Sequence, residues 1–379
     1  MKSRPPLPKL LNPSVCLAVL LWMLAFLNSS VFARTTAAVT VRQSHRAMSS
    51  VSTQELKIRC SDGLVLAGQR YKSNESSGAT KTKYRILCLH GWMDNCRSFH
   101  HLAPVLVEDK PHVDVVALDF VGHGHSSHKS LDGTHTVLAE SVYHVREALH
   151  QLGWIVENKD EETSAALPSP QVILVGHSMG AGVSCLYSAA FPEHVHKLVL
   201  LEGAAPMERP PQDIAKHIRS HVDRRMRLTS SLAEGDKPPR IYPSLEAAVR
   251  TRCLTAKNFP GNQWLSTEAG TELVLWGTEP VGEEGGVRFR HDVRLQWPSC
   301  MYITKEQANA VYSEINCPTA LFLAKDGWPF DEARMQEAMK LLKPTLFDRT
   351  LPGSHHFHAD PESAPAVARK VVEFLQLNA

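Results

Sequence analysis

The 379 residues carry 41 Lys and Arg against 39 Asp and Glu, a formal net charge of +2, so no field strong enough to gather a polyanion surrounds the chain and nucleic acid is excluded as a partner. A 43% hydrophobic content is ample for a buried core, in one large domain or two small ones. The eight cysteines, Cys16, Cys60, Cys88, Cys96, Cys185, Cys253, Cys300 and Cys317, are spaced for neither a zinc site nor a disulfide framework.

Residues 1–47 read as a targeting segment. Lys2, Arg4 and Lys9 precede an apolar run over 15–27 and small residues ending in Val31-Phe32-Ala33, the layout of a secretory signal peptide. The lack of Asp or Glu before Glu55, together with Arg34, Arg42, Arg46 and many Ser and Thr, is equally the layout of a mitochondrial presequence. Both addresses stay open. The run is shorter than the roughly 20 residues of a comfortable span, so membrane contact is expected only through this segment, as an uncleaved and tilted anchor. Initiation at Met48 would remove the segment and leave a cytoplasmic product.

Beyond Ser52, β-rich runs at 56–60, 64–71, 84–90, 113–120, 172–177 and 197–202 alternate with helical spacing at 98–107 and 136–152, and 159–170 reads as a polar surface loop. A charged stretch with Arg-rich helical pieces and a Gly-rich turn at 282–286 follows. Strands resume at 319–325 and 345–351, with helices at 331–342 and 361–377. This alternation predicts an α/β fold with a mostly parallel central sheet and helices on both faces. The expected division is a core over 53–206, a helical lid over 207–312 and the rest of the core over 313–379.

The strongest motif lies where a buried run enters a small-residue helix, at Val175-Gly176-His177-Ser178-Met179-Gly180-Ala181-Gly182. It is a G-x-S-x-G elbow in its strand-to-helix context. Ser178 is the candidate nucleophile, and the Met179 amide at the helix start is a candidate oxyanion donor. A second donor is expected from Leu89-His90-Gly91-Trp92-Met93-Asp94-Asn95, with Trp92 chosen and His90 read as a buttress. Chain order then places the base after the last strand, in Pro352-Gly353-Ser354-His355-His356-Phe357-His358. His355 is the first choice and His356 the alternative. For the orienting acid, Asp326 is preferred and Glu202 is the alternative, since each closes a predicted strand. His123 and His125 belong to a Gly-rich loop beside the site and read as scaffold rather than metal ligands.

These segments carry a resemblance. Leu89 to Asn95 with Ser98-Phe99, then Asp119-Phe120-Val121-Gly122-His123-Gly124-His125-Ser126-Ser127, then Gly176 to Gly180, and also Phe289-Arg290-His291-Asp292-Val293-Arg294-Leu295, are similar to the α/β-hydrolase superfamily and, within it, to the serine hydrolase-like (kraken-like) group. The resemblance implies a hydrolase, and chemistry by a serine, a histidine and an acid requires neither metal nor organic cofactor. An ester or thioester of a small, apolar acyl group, cleaved through an acyl-enzyme on Ser178, is the expected substrate, because dehalogenases and epoxide hydrolases of this scaffold need a carboxylate at the elbow. The alternative is a non-catalytic protein that keeps the pocket to hold a ligand or a partner.

Overall fold

The structure is a computed structural model and describes residues 50–75, 82–130, 137–155, 171–203, 207–233, 240–261, 263–282, 285–299 and 301–377. The targeting segment, Met48, Cys16, Cys300 and the polar loop 159–170 lie outside the described residues.

Eight strands form one sheet in the order β1-β2-β4-β3-β5-β6-β9-β10. They are β1 (Val51–Arg59), β2 (Val65–Ser73), β3 (Tyr84–Leu89), β4 (Val113–Leu118), β5 (Gln171–His177), β6 (Val195–Leu201), β9 (Thr319–Asp326) and β10 (Leu346–Ser354). All pairs are parallel except β1 with β2 and β2 with β4. The central strands are near-continuous apolar runs because both faces are covered. β1 sits at the edge and carries the exposed charges Glu55, Lys57 and Arg59, which discourage pairing with a further strand.

The two-residue period of the strands sorts the core into two layers. Leu87, Leu89, Leu174, Leu198, Leu200 and Leu321 pack on one face with α2 (Val137–Gln151), α3 (Met179–Ala190), α7 (Lys305–Glu314) and α8 (Glu332–Leu342). Ile86, Cys88, Ile173, Val175, Val199 and Phe322 pack on the other with α1 (Ala103–Val107) and α9 (Ala364–Leu375).

Between β6 and β9 an insertion carries α4 (Ile214–Ala233), α5 (Leu245–Ala256), α6 (Thr267–Gly277) and a hairpin of β7 (Thr278–Val281) with β8 (Gly286–Phe289). Two details differ from the expected boundaries. β7 and β8 pair antiparallel from Thr278 with Phe289 to Val281 with Gly286, so the insertion is not wholly helical. And α7 inserts Ala308 and Tyr312 into the core layer beside α3, which ends the insertion as packed before residue 305.

Strand order reverses between β3 and β5: from β3 the chain moves outward to β4, whereas β5 leads to β6 on the opposite side. Such a switch opens a crevice beyond the carboxyl ends of the strands, which is where an α/β sheet places its chemistry. Both the Trp92 loop and Ser178 emerge there.

Candidate active site

Ser178 joins β5 to α3 with φ 51° and ψ −112°, a left-handed conformation that a side chain resists. Its amide donates to the Leu201 carbonyl at 2.9 Å, and its own carbonyl accepts from the Ala181 and Gly182 amides at 3.0 and 3.2 Å. The flanking glycines make this turn sterically admissible. A Cβ on Gly176 would collide with the Gly180 carbonyl, and one on Gly180 would be driven into the Leu89 carbonyl. Met179 is the first residue of α3, where the helix leaves amides without intrahelical partners and its dipole favours negative charge.

His355 follows the last residue of β10, and its Nδ1 lies 3.1 Å from Glu202 Oε2. Glu202 closes β6 with φ 51° and is buried; its two carboxylate oxygens also accept from the amides of Ala324, at 2.6 Å, and Trp328, at 2.8 Å. Gly327 lies so close that a Cβ there would strike Oε1. A carboxylate can only accept, so Nδ1 carries the proton and Nε2 of the neutral ring is left as an acceptor. Asp326, preferred for this role by sequence, is exposed at the end of β9 and makes no hydrogen bond to His355. Asp326 and Ser354 share register on neighbouring strands, while the carboxylate that reaches the imidazole comes from one strand further in. His356 turns away, its Nε2 3.1 Å from Asp94 Oδ2. His355 is held at the elbow by His177, whose Nε2 donates to the His355 carbonyl, with ring centroids 4.8 Å apart. No hydrogen bond joins the Ser178 hydroxyl to His355, a separation common in sites that close only around substrate.

Residues 84–361 match the model of the alpha/beta hydrolase fold family. The chain belongs to this family. A serine hydrolase-like protein of Dictyostelium discoideum is 27% identical over 336 residues, covering 85% of this chain and 81% of its own length. The human serine hydrolase-like protein 2 is 28% identical over 304 residues, covering 77% and 86%. Among solved structures, a hypothetical protein of Pseudomonas aeruginosa PAO1 is 31% identical with a TM-score of 0.67, covering 85% of this chain and 99% of that one.

In this α/β hydrolase the loops around Ser178 are fixed by polar contacts rather than by packing alone. His90 accepts at Nε2 from the Phe120 amide at 3.0 Å and engages the Gly91 carbonyl through Nδ1 at 2.7 Å, so both nitrogens serve the scaffold. Asp119 accepts from the Cys96 and His125 amides and from Trp276 Nε1 of the insertion. Trp92 Nε1 donates to the Leu295 carbonyl at 3.1 Å, which anchors the oxyanion-loop candidate to the insertion as well. His123 and His125 lie in this scaffold; His125 stacks on Trp276 with centroids 4.1 Å apart. Among the described residues no three His, Cys, Asp or Glu side chains form a metal-binding group.

Two contributors escaped the sequence. Gln263 accepts from the His355 amide at 2.8 Å and donates to the Gly327 carbonyl at 2.7 Å, linking the loop that carries His355 to the loop after β9. Arg252 of α5 reaches Asp94 at 2.6 Å, beside His356. Burial alone would raise the Asp94 carboxyl, but the His356 imidazole that hydrogen-bonds it and the Arg252 cation outweigh burial and hold the group well below the usual carboxylate range. Both lie in the insertion, where no motif marks them. A shallow recess lies between the Met93–Asn95 stretch and Arg252, Leu273, Phe289 and His291 of the insertion. The Trp328 ring sits 5.5 Å from that of His355. Trp297 packs under α4 against His221.

Proposed function

We propose that this protein is a serine hydrolase that cleaves an ester or thioester of an apolar acyl group, with Ser178 as nucleophile, His355 as general base and Glu202 as the orienting acid. The observation that carries the reading is the Glu202 to His355 Nδ1 contact of 3.1 Å. It fixes the tautomer that a serine needs of its base.

On this reading His355 Nε2 takes the Ser178 hydroxyl proton as Oγ bonds to the carbonyl carbon. The amides of Met179 and Trp92 would hold the resulting oxyanion. The imidazolium returns its proton to the departing alcohol or thiol, leaving an acyl-enzyme. A water, deprotonated by the same imidazole, then releases the acid and restores Ser178. Phe259 and Trp328, whose rings lie 6.5 and 5.5 Å from that of His355, offer apolar surface for the acyl chain. Metal chemistry has no part in the scheme.

The test is Ser178→Ala, read by labelling with a fluorophosphonate probe and by hydrolysis of p-nitrophenyl esters of graded chain length. Both should be lost. Labelling retained in Ser178→Ala would place the nucleophile elsewhere, and a folded native protein that neither labels nor turns over would favour a ligand-binding role.

A further inference from the structure

From Ile214 to Arg227 helix α4 is amphipathic with its apolar side outward. His217, Ser220, His221 and Arg224 are the half-buried positions through Arg227, whereas Ile214, Ile218, Val222 and Met226 are 39%, 46%, 44% and 64% exposed. Four-residue spacing brings those apolar side chains into one row. The inward contacts are polar or aromatic: the His217 ring lies 4.8 Å from Tyr302, and His221 Nδ1 is 2.8 Å from the Pro298 carbonyl. A helix recruited to a core turns its apolar stripe inward, so core formation does not account for this one.

Charge narrows the occupant. Between Ile214 and Arg227 the helix carries Lys216, Arg219, Arg224, Arg225 and Arg227 against the single acid Asp223, in a chain whose whole formal charge is +2. A second copy docked face to face would bring these cations together, which like-charge repulsion opposes. An outward apolar row flanked by cations fits the boundary between acyl chains and anionic headgroups. We propose that α4 docks this protein on an anionic phospholipid surface, with Ile218, Val222 and Met226 at headgroup depth and the flanking Lys and Arg on the lipid anions.

The docking does not depend on the catalytic reading. It does bear on it: α4 rests on Trp297, just after the turn Val293–Gln296, and the Leu295 carbonyl in that turn accepts from Trp92. A docked helix would therefore hold the mouth of the candidate site near lipid.

The experiment follows hydrogen exchange of α4 in the full chain, alone, with neutral phosphatidylcholine vesicles and with vesicles that also contain phosphatidylserine. Residues 15–27 could hold the chain on any vesicle, so protection is read at 214–227 and compared between lipids. Exchange there should slow severalfold with phosphatidylserine only. Partitioning of Ile218→Asp/Met226→Asp onto those vesicles should fall on the order of tenfold. Arg219→Glu/Arg227→Glu, altering two exposed cations, gives an independent reading and should weaken binding similarly. Unchanged exchange with anionic vesicles, equal slowing by neutral ones, or slowing with protein concentration alone would overturn the proposal, the last by showing that a second copy covers the face.

Discussion

His177 Nε2 donates to the His355 carbonyl at 2.8 Å, so the residue before the candidate nucleophile holds the loop that carries the candidate base. With that nitrogen committed as the donor, Nδ1 of the neutral ring is bare, and it has no hydrogen-bond partner among the described residues. The Gly91 backbone passes so near that a Cβ there would stand 2.9 Å from Nδ1. Burial first, then the neighbouring His358, His355 and His356, push the His177 titration well below its ordinary range. A proton at Nδ1 would be a buried charge with no hydrogen-bond partner, its nearest carboxylate oxygen, Asp94 Oδ2, standing 3.9 Å away.

Stability should accordingly collapse on mild acidification. His90, His123, His177, His356 and His358 are all buried with titrations lowered chiefly by that burial. Below about pH 6.5 the unfolded chain binds protons that the folded chain still refuses, so stability is complete above that pH and is lost as pH falls toward the lowered folded values. Each such histidine contributes up to about 1.4 kcal/mol per pH unit in the window. Thermal melts between pH 8 and 5 should be flat above neutrality and fall steeply below; equal melting temperatures at both ends would contradict the neutral buried cluster.

Gly180→Ala should damage both fold and site. The new Cβ meets the Leu89 carbonyl and lies 2.8 Å from that of His90, and backbone cannot yield as a flexible side chain can. Helix α3 must back away from the loop after β3, at a cost of about 1–3 kcal/mol. Turnover should fall on the order of a hundredfold, because the candidate oxyanion donors Met179 and Trp92 lie on the two segments that the new Cβ pushes apart. Gly63→Ala, at φ 87° with nothing within 4 Å, should cost only about 1–2 kcal/mol of backbone strain and leave turnover intact. Urea unfolding alongside ester hydrolysis separates the two.

Much of the fold was legible because its signal is local. The strand runs announce themselves by apolar continuity, and the alternation of Leu87 and Leu89 against Ile86 and Cys88 sorts the two faces without further knowledge. The elbow is legible because its steric demand falls on consecutive residues. The carboxylate beside the candidate base was not: Asp326 ends β9 and Glu202 follows β6, and which of them turns inward depends on the left-handed backbone at Glu202 and on the chain segments meeting around it. A usable hint was Gly327, whose missing side chain makes room for the Glu202 carboxylate rather than for its neighbour Asp326. Gln263 and Arg252 act across more than ninety residues of chain, beyond the reach of any spacing rule. α7 was assigned to the insertion because its surface is charged, although Ala308 and Tyr312 bind it to the core.

Arg252→Met should be more harmful than its partly exposed position suggests. Asp94 is buried, and removal of its cation leaves His356 as the main compensation. Breaking such a pair from one side costs about 3–5 kcal/mol. Asp94→Asn in the same chain removes the stranded charge, so the double variant should be clearly more stable than the sum of the two single losses. Additive losses in urea unfolding would mean that the pair contributes no mutual stabilisation.

Glu202 and Asp326 give the sharpest separation between two readings of one site. Glu202→Gln keeps the volume but replaces one acceptor oxygen with an NH2 group, which must face either the Trp328 amide, the Ala324 amide or His355 Nδ1, all donors in the native arrangement. If the clash falls on the imidazole, the ring is driven to the tautomer with Nε2 protonated, and that nitrogen can no longer accept the Ser178 proton. The loss in kcat should be on the order of 10⁴, with KM little changed, as for a triad whose acid is made neutral. Asp326→Asn alters an exposed side chain with no bond to the ring and should leave kcat within about twofold. The reverse pattern, a silent Glu202→Gln with an inactive Asp326→Asn, would require the base loop to rearrange before chemistry and would remove Glu202 from the catalytic set.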